Sequence, residues 1–272
     1  MAPLSLSAVE SSLQTTWIGR APLGANELWD TIDSTNTRAK ELAAQGAPNG
    51  TLILARKQTA GRGRLGRIWE SPLDAGVYMT LLLRPQEKPI YEMPLLTIAA
   101  GVAAARAIEQ VASVRIGLKW VNDMVLDGRK LGGILAESSG ALAPYVVLGM
   151  GINLKLETAN LADELKSKVA SLHEFAKDEI DPSRLAATIW SQFEQLWQPL
   201  QSGQCQQILG AWRDYSVTIG QKIRATIGEK TLEGLAVDVT DSGALKVIQD
   251  DGTVIELTAG EIQIRTAGGA YC

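Results

Sequence analysis

The 272 residues carry 26 lysines and arginines against 30 aspartates and glutamates, a net charge of −4, with 46% hydrophobic and 21% charged residues. That length holds one large domain, or a medium domain with a small one, and buries a core without staples. The acidic balance speaks against duplex DNA as a partner, because such affinity comes mainly from neutralised phosphates.

Two cysteines, Cys205 and Cys272, make neither a disulfide framework nor a zinc site, and the lone His173 argues against a histidine metal centre. A reducing, cytoplasmic setting fits this usage. Met93 to Ala105 is the longest near-apolar stretch. It is too short to cross a bilayer and contains Pro94, so it predicts a buried helix and no membrane association. The N-terminus has no basic residue ahead of an apolar run, and Glu10 interrupts it, so no secretory signal is expected.

Along the chain, residues 1–30 show weak periodicity and end in the apolar-leaning Glu27-Leu28-Trp29. Asp33-Ser34-Thr35-Asn36 supplies capping chemistry ahead of a helix that Gly46 and Pro48 stop. TLILAR (51–56) and GVYMTLLL (76–83) read as buried strands, with the loop KQTAGRGRLGR between them. A buried helix over 94–111 leads into a β-rich block. Its strands are VRIGLKW (114–120), MVLD (124–127), KLGGILAES (130–138) and YVVLGMGINL (145–154), with a hairpin signal at Asp127-Gly128. The segment 181–201 is the clearest amphipathic helix, with Asp181 as cap and Pro182 at its first position. Near 217 the texture changes to short strands with turn signals, which predicts a catalytic domain over 1–216 and a small closed β-barrel over 217–272.

Five clusters suggest chemistry. The window RKQTAGRGRLGR (56–67) holds Arg56, Lys57, Arg62, Arg64 and Arg67, with no acid and with Gly61, Gly63 and Gly66 among them. Glycines let backbone N–H groups approach an anion, and arginines offer forked donors to phosphate or carboxylate. GRGRLG matches G-x-G-x-x-G by letter. A dinucleotide site is nonetheless excluded, because Pro72 and Gly76 break any helix that would open there. Lys119-Trp120-Val121-Asn122-Asp123 ends a strand with a cation beside amide and carboxylate oxygens, suited to Mg²⁺, ribose or phosphate, or to an ordinary turn. Arg129-Lys130-Leu131-Gly132-Gly133 places a lysine beside glycines, either to bridge anions or to guard a sheet edge. Gly149-Met150-Gly151-Ile152-Asn153 suggests a flat ligand lying on the backbone with Asn153 as its polar stop, or a bulge. Asp33-Ser34-Thr35-Asn36 suits a small polar head group as well as a helix cap.

Together these clusters, in order from 33 to 153 and with Gln58 and Trp69, resemble the biotin protein ligases. The resemblance implies an α+β fold: a mixed sheet with helices of the class II aminoacyl-tRNA synthetase and biotin ligase kind, plus a C-terminal SH3-like β-barrel. It implies ATP-dependent formation of biotinyl-5′-adenylate, with ATP and Mg²⁺, and transfer to a lysine of a biotin carboxyl carrier protein of acetyl-CoA carboxylase. By motif position, Ser34, Thr35, Asn36 and Gln58 would hold the ureido end of biotin. Gly61, Arg62, Gly63, Arg64, Lys130, Gly133 and Gly149 would complete the biotin site. Arg62, Arg64, Arg67, Trp69, Lys119, Asn122, Lys130 and Asn153 would serve the nucleotide, with Trp69 stacked on adenine. Arg64 and Lys130 would be catalytic, and Asp123 would meet Mg²⁺.

Two departures stand out. Val121 replaces a frequent proline, with little expected consequence, and Met150 is larger than usual and would tighten the biotin pocket. Too few residues precede Asp33 for a DNA-binding domain, so ligase without repressor activity is expected, as monomer or homodimer. Lipoate or octanoate ligases and transferases of the same fold, or a non-catalytic biotin sensor, are the alternatives.

Overall fold

The computed structural model describes residues 2–20, 22, 25–84, 93–139, 145–156, 166–228 and 230–264. Cys272 and residues 140–144, between the predicted strands 130–138 and 145–154, lie outside them.

The chain order is α1 (Leu6–Ser12), β1 (Glu27–Trp29), α2 (Thr35–Ala44), β2 (Leu52–Ala55), β3 (Gly76–Leu83) and α3 (Met93–Ala112). Then come β4 (Gly117–Lys119), β5 (Asp123–Leu126), β6 (Arg129–Ser138), β7 (Val146–Asn153), α4 (Pro182–Ser202) and α5 (Gln206–Tyr215). The C-terminal strands are β8 (Lys222–Ile227), β9 (Lys230–Val239), β10 (Leu245–Ile248), β11 (Val254–Leu257) and β12 (Glu261–Ile264). β1 to β7 form a mixed sheet in the order β1-β2-β3-β7-β6-β5-β4, parallel only between β1 and β2. β8 to β12 form an antiparallel sheet in the order β11-β10-β9-β8-β12, with no β11–β12 ladder among the described residues.

β3 and β7 are buried along their whole length, which explains their apolar runs. Both faces of the main sheet are covered. On one side α2 packs Ala39 and Ala43 against Ile53, Leu82 and Val147. On the other lie α1, α3 and α4, in a core that includes Leu148, Met150 and Ile152. Met150 is 4% exposed and packs into that core, and it also borders the cleft described below. α3, at 20 residues, is long and apolar enough to cross a membrane by length and composition alone, but here it is a core helix. The cap of α4 is as read: Asp181 accepts from the Ser183 and Arg184 amides, and Gly203 closes the helix in the left-handed region at φ 73°. Asp127 and Gly128 take φ 50° and 67°, the conformation of the predicted two-residue hairpin.

The predicted strand over 114–120 shortens to Gly117–Lys119. β1, α1 and α5 are elements that the sequence pattern does not predict. β1 has three residues, and α5 starts at Cys205 without a side-chain cap.

Candidate functional site

Alternation along the strands sends a defined set of side chains to the α2 face of the sheet. One cross-strand row is Thr80, Gly149 and Leu135. The next is Tyr78, Gly151, Gly133, Asp123 and Lys119, running through five strands. Glycines in the middle of each row leave a trough, with Thr80 at one end of the first row and Tyr78 and Lys119 at the ends of the second. Lys130 joins this face because the register of β5 and β6 shifts between Met124 and Val125, pairing Val125 with Lys130. A bulge of this kind re-aims one side chain. Leu131 is fully buried, while Lys130 Nζ lies 2.6 Å from Asp123 Oδ1. β6 lies between β7 and β5, so the edge-guard reading of Lys130 does not hold.

The arginine–glycine loop crosses this face as a narrow hairpin. Trp69 N donates to Gly61 O at 2.9 Å and Gly63 N to Arg67 O at 2.8 Å. Gly61 permits the crossing, since a Cβ there would overlap the Trp69 carbonyl. At the tip, Gly66 takes φ 74°.

A cleft opens between loop, sheet, α2 and β12. Its lining includes Ser34, Thr35, Asn36, Gln58, Arg62, Gly63, Arg64, Arg67, Trp69, Lys119, Asn122, Asp123, Lys130, Gly133 and Gly149. The fold thus brings together residues drawn from all five clusters. Two predicted residues stand apart. Gly61 lies behind the lining as a hairpin spacer. Asn153 is on the same face but beyond the cleft, where Nδ2 donates to Ala170 O at 3.1 Å, so it is no polar stop for a ligand there. The Trp120–Val121 peptide is cis.

At one end the polar groups are bonded to each other. Ser34 caps α2. Gln58 Oε1 accepts from Thr35 N at 2.9 Å and Thr35 Oγ1 at 3.1 Å, and Gln58 Nε2 donates to Ser71 Oγ at 2.9 Å. The Thr80 hydroxyl lies 2.7 Å from Asn36 Oδ1 and 2.8 Å from Thr35 Oγ1. Asn36 rests on Gly149, where a Cβ would overlap its Oδ1. The flat group over Gly151 is the protein's own: a Cβ there would overlap the Trp69 indole, which also borders Gly133. Trp69 Nε1 is buried without a hydrogen-bond partner among the described residues, and Lys130 Nζ sits 5.6 Å from the ring centre.

The loop cations are spread along the cleft. Arg62 pairs with Glu137, which also binds Asn36, and Arg67 pairs with Glu261 of β12. Arg64 differs. Its partners are two neutral oxygens, Asn122 Oδ1 at 2.7 Å and Gly260 O at 2.8 Å. Burial pulls its pKa below the usual value, and the Asp123 and Glu261 carboxylates oppose this only through space. A guanidinium stays charged at neutral pH. Among the described residues Arg64 is thus a partly buried cation without a directly bonded counter-ion, and an incoming phosphate or carboxylate would supply one. Arg56 belongs to the scaffold instead, bonded to Asp30 and Asp74.

Thr80, Glu137, Ser71 and Glu261 escaped sequence reasoning. Thr80 had one available signal, a small hydroxyl within an otherwise mostly apolar run. For Mg²⁺, Asp123 is the candidate carboxylate. Among the described residues no group of three potential ligands gathers. The site fits only an ion that takes most of its oxygens from a bound phosphate, which is the usual habit of Mg²⁺.

Residues 28–153 match the Biotin/lipoate A/B protein ligase family model, and residues 218–265 match the Biotin protein ligase C terminal domain. The chain is 35% identical to the Bifunctional ligase/repressor BirA of Bacillus subtilis, over 92% of this chain and 76% of that protein. It is 31% identical to the Biotin–[acetyl-CoA-carboxylase] ligase of Mycobacterium tuberculosis, over 88% of this chain and 91% of that one. The fold matches the Biotin protein ligase from Aquifex aeolicus in complex with biotin and ATP, with TM-score 0.77 and 24% identity, over 90% of this chain and 100% of that chain.

Proposed function

The chain belongs to the biotin protein ligase family, and from that premise we propose that it activates biotin with ATP and transfers it to a carrier-protein lysine. The observation that carries the reading is Arg64, a cation lacking a bonded counter-ion among the described residues, in one cleft with a head-group end of amides and hydroxyls.

Ser34, Thr35, Asn36 and Gln58 receive the ureido ring, over the glycine floor. The biotin carboxylate reaches Arg62, Arg64 and Lys130, where it attacks the α-phosphorus of ATP. The new bond joins carboxylate oxygen to phosphorus, and pyrophosphate leaves. Two anions must meet, and charge accumulates at the pentacoordinate phosphorus, so cations fixed in advance lower the barrier. Lys119, Asn122, Arg67 and Trp69 serve the nucleotide. Mg²⁺ would supply neutralisation of the phosphate charge, and Asp123 would be the protein carboxylate that holds it. In the second step a lysine amine of a biotin carboxyl carrier protein attacks the acyl carbon, and AMP leaves. The loop over the cleft keeps water from the mixed anhydride meanwhile. A cytoplasmic setting suits this chemistry.

Exchange of labelled pyrophosphate into ATP tests the reading. Biotin should drive exchange and lipoate should not. Exchange driven by lipoate instead, or biotin binding without exchange or transfer, would overturn it.

A further inference from the structure

Asn36 has four hydrogen-bonding positions, and three are filled. Nδ2 donates to Leu135 O at 3.3 Å and to Glu137 Oε2 at 2.9 Å, and Oδ1 faces the Thr80 hydroxyl. What remains is one lone pair of Oδ1 at the cleft wall, so Asn36 offers a ligand an acceptor and no donor. Gln58 is its converse. Both Thr35 donors take its Oε1, Ser71 takes one amide proton, and one N–H is left. The pocket therefore presents an acceptor and a donor of fixed sign, which matches a ring with N–H and C=O groups.

Glu137, with the longer contact to the Leu135 carbonyl, sets the sign at Asn36, because both only accept and so draw the amide nitrogen toward themselves. Burial pushes its pKa up, but the Lys40 ammonium, the Asn36 amide and Arg62 outweigh this and hold it below the ordinary value. Its second oxygen takes Lys40 Nζ at 2.7 Å and Arg62 Nη2 at 3.1 Å. Lys40 follows Asn36 by one turn of α2, while Arg62 belongs to the loop. One carboxylate thus ties the head-group reader to the segment that closes over the anionic end.

We propose that Glu137 is a positioning residue, fixing Asn36 as an acceptor for the head-group N–H and latching the arginine–glycine loop through Arg62. The proposal rests on the ligase reading above. Its test separates the two ties. Glu137→Ala removes both. Glu137→Gln keeps an oxygen for Asn36 but loses the charge that draws Arg62.

In biotin-dependent pyrophosphate exchange, Glu137→Ala should raise the KM for biotin about 10–100-fold, with the KM for ATP within about threefold of wild type. Glu137→Gln should keep the biotin KM within about threefold, yet release preformed biotinyl-adenylate about tenfold faster. Thermal melting identifies which variants fold, and Glu137→Gln alone decides the latch if the alanine variant does not. Equal changes in both KM values, wild-type behaviour of Glu137→Ala, or unchanged release from Glu137→Gln would overturn the role of Glu137. No biotin-dependent exchange in wild type would sink the ligase reading, and this proposal with it.

Discussion

At the head-group end of the cleft, Thr35, Asn36, Gln58 and Thr80 are bonded to one another and to the scaffold, in place before any ligand arrives. At the anionic end, Arg67 holds a carboxylate of the C-terminal sheet and Arg64 holds only neutral oxygens, while Arg62 reaches back to Glu137 beside Asn36. The difference lies in what supports each end. The first stands on strands and a helix packed into the core. The second stands on a hairpin whose tip residues Leu65 and Ile68 are each 77% exposed. Rigid groups suit the recognition of an unchanging neutral ring. A loop tied by a few ion pairs suits an end where charge appears, shifts and leaves.

The largest predicted effect breaks the rigid end. Gly149→Val puts a side chain where Asn36 Oδ1 already lies. Biotin-dependent exchange should fall by more than about 10³-fold, read as kcat/KM for biotin. Near-normal activity would show that Asn36 does not need its place on the backbone.

Next is the anionic end. Lys130→Ala should lower the rate of adenylate formation by about 10²–10³-fold in single-turnover measurements, with the fold intact by circular dichroism. Normal exchange would remove Lys130 from the chemistry.

The smallest effect concerns the scaffold beneath the loop. Hydrogen bonding to Arg56 holds the Asp74 carboxyl below its usual value. The stability this gives is present above the unfolded carboxylate value near pH 4, and is lost as pH falls through the lower folded-state value. Arg56→Met should therefore melt about 1–2 °C below wild type at pH 7. The gap should close in acid. A gap that persists at pH 2 would contradict the pairing.

The two ends also differed in how readable they were. Arginines among glycines announce an anion loop by composition alone, and Ser34-Thr35-Asn36 announces polar groups at a helix start. The partners that give these residues their setting do not announce themselves. Thr80 sits in a buried strand, and only its register opposite Gly149 places it beside Asn36. Glu137 ends an ordinary strand, and Glu261 arrives from the C-terminal sheet 194 positions away from Arg67. The glycines of β7 predicted a flat group on the backbone. The structure puts the Asn36 amide and the Trp69 indole there, because spacing reveals room but not its occupant. The same limit applies to the fold. The apolar runs of β3 and β7 and the Asp181-Pro182 start of α4 were legible. The three residues of β1 and the uncapped α5 carry too few local signals.

The central claim is that Arg64 is held in wait for a phosphate or acyl-phosphate oxygen. Calorimetric titration of wild type and Arg64→Gln tests it directly, using biotin alone and a non-hydrolysable biotinyl-adenylate analogue. Biotin, whose carboxylate keeps Arg62 and Lys130, should lose about tenfold in affinity, while affinity for the analogue falls about 100-fold or more. Equal losses for both ligands, or no loss for either, would contradict it.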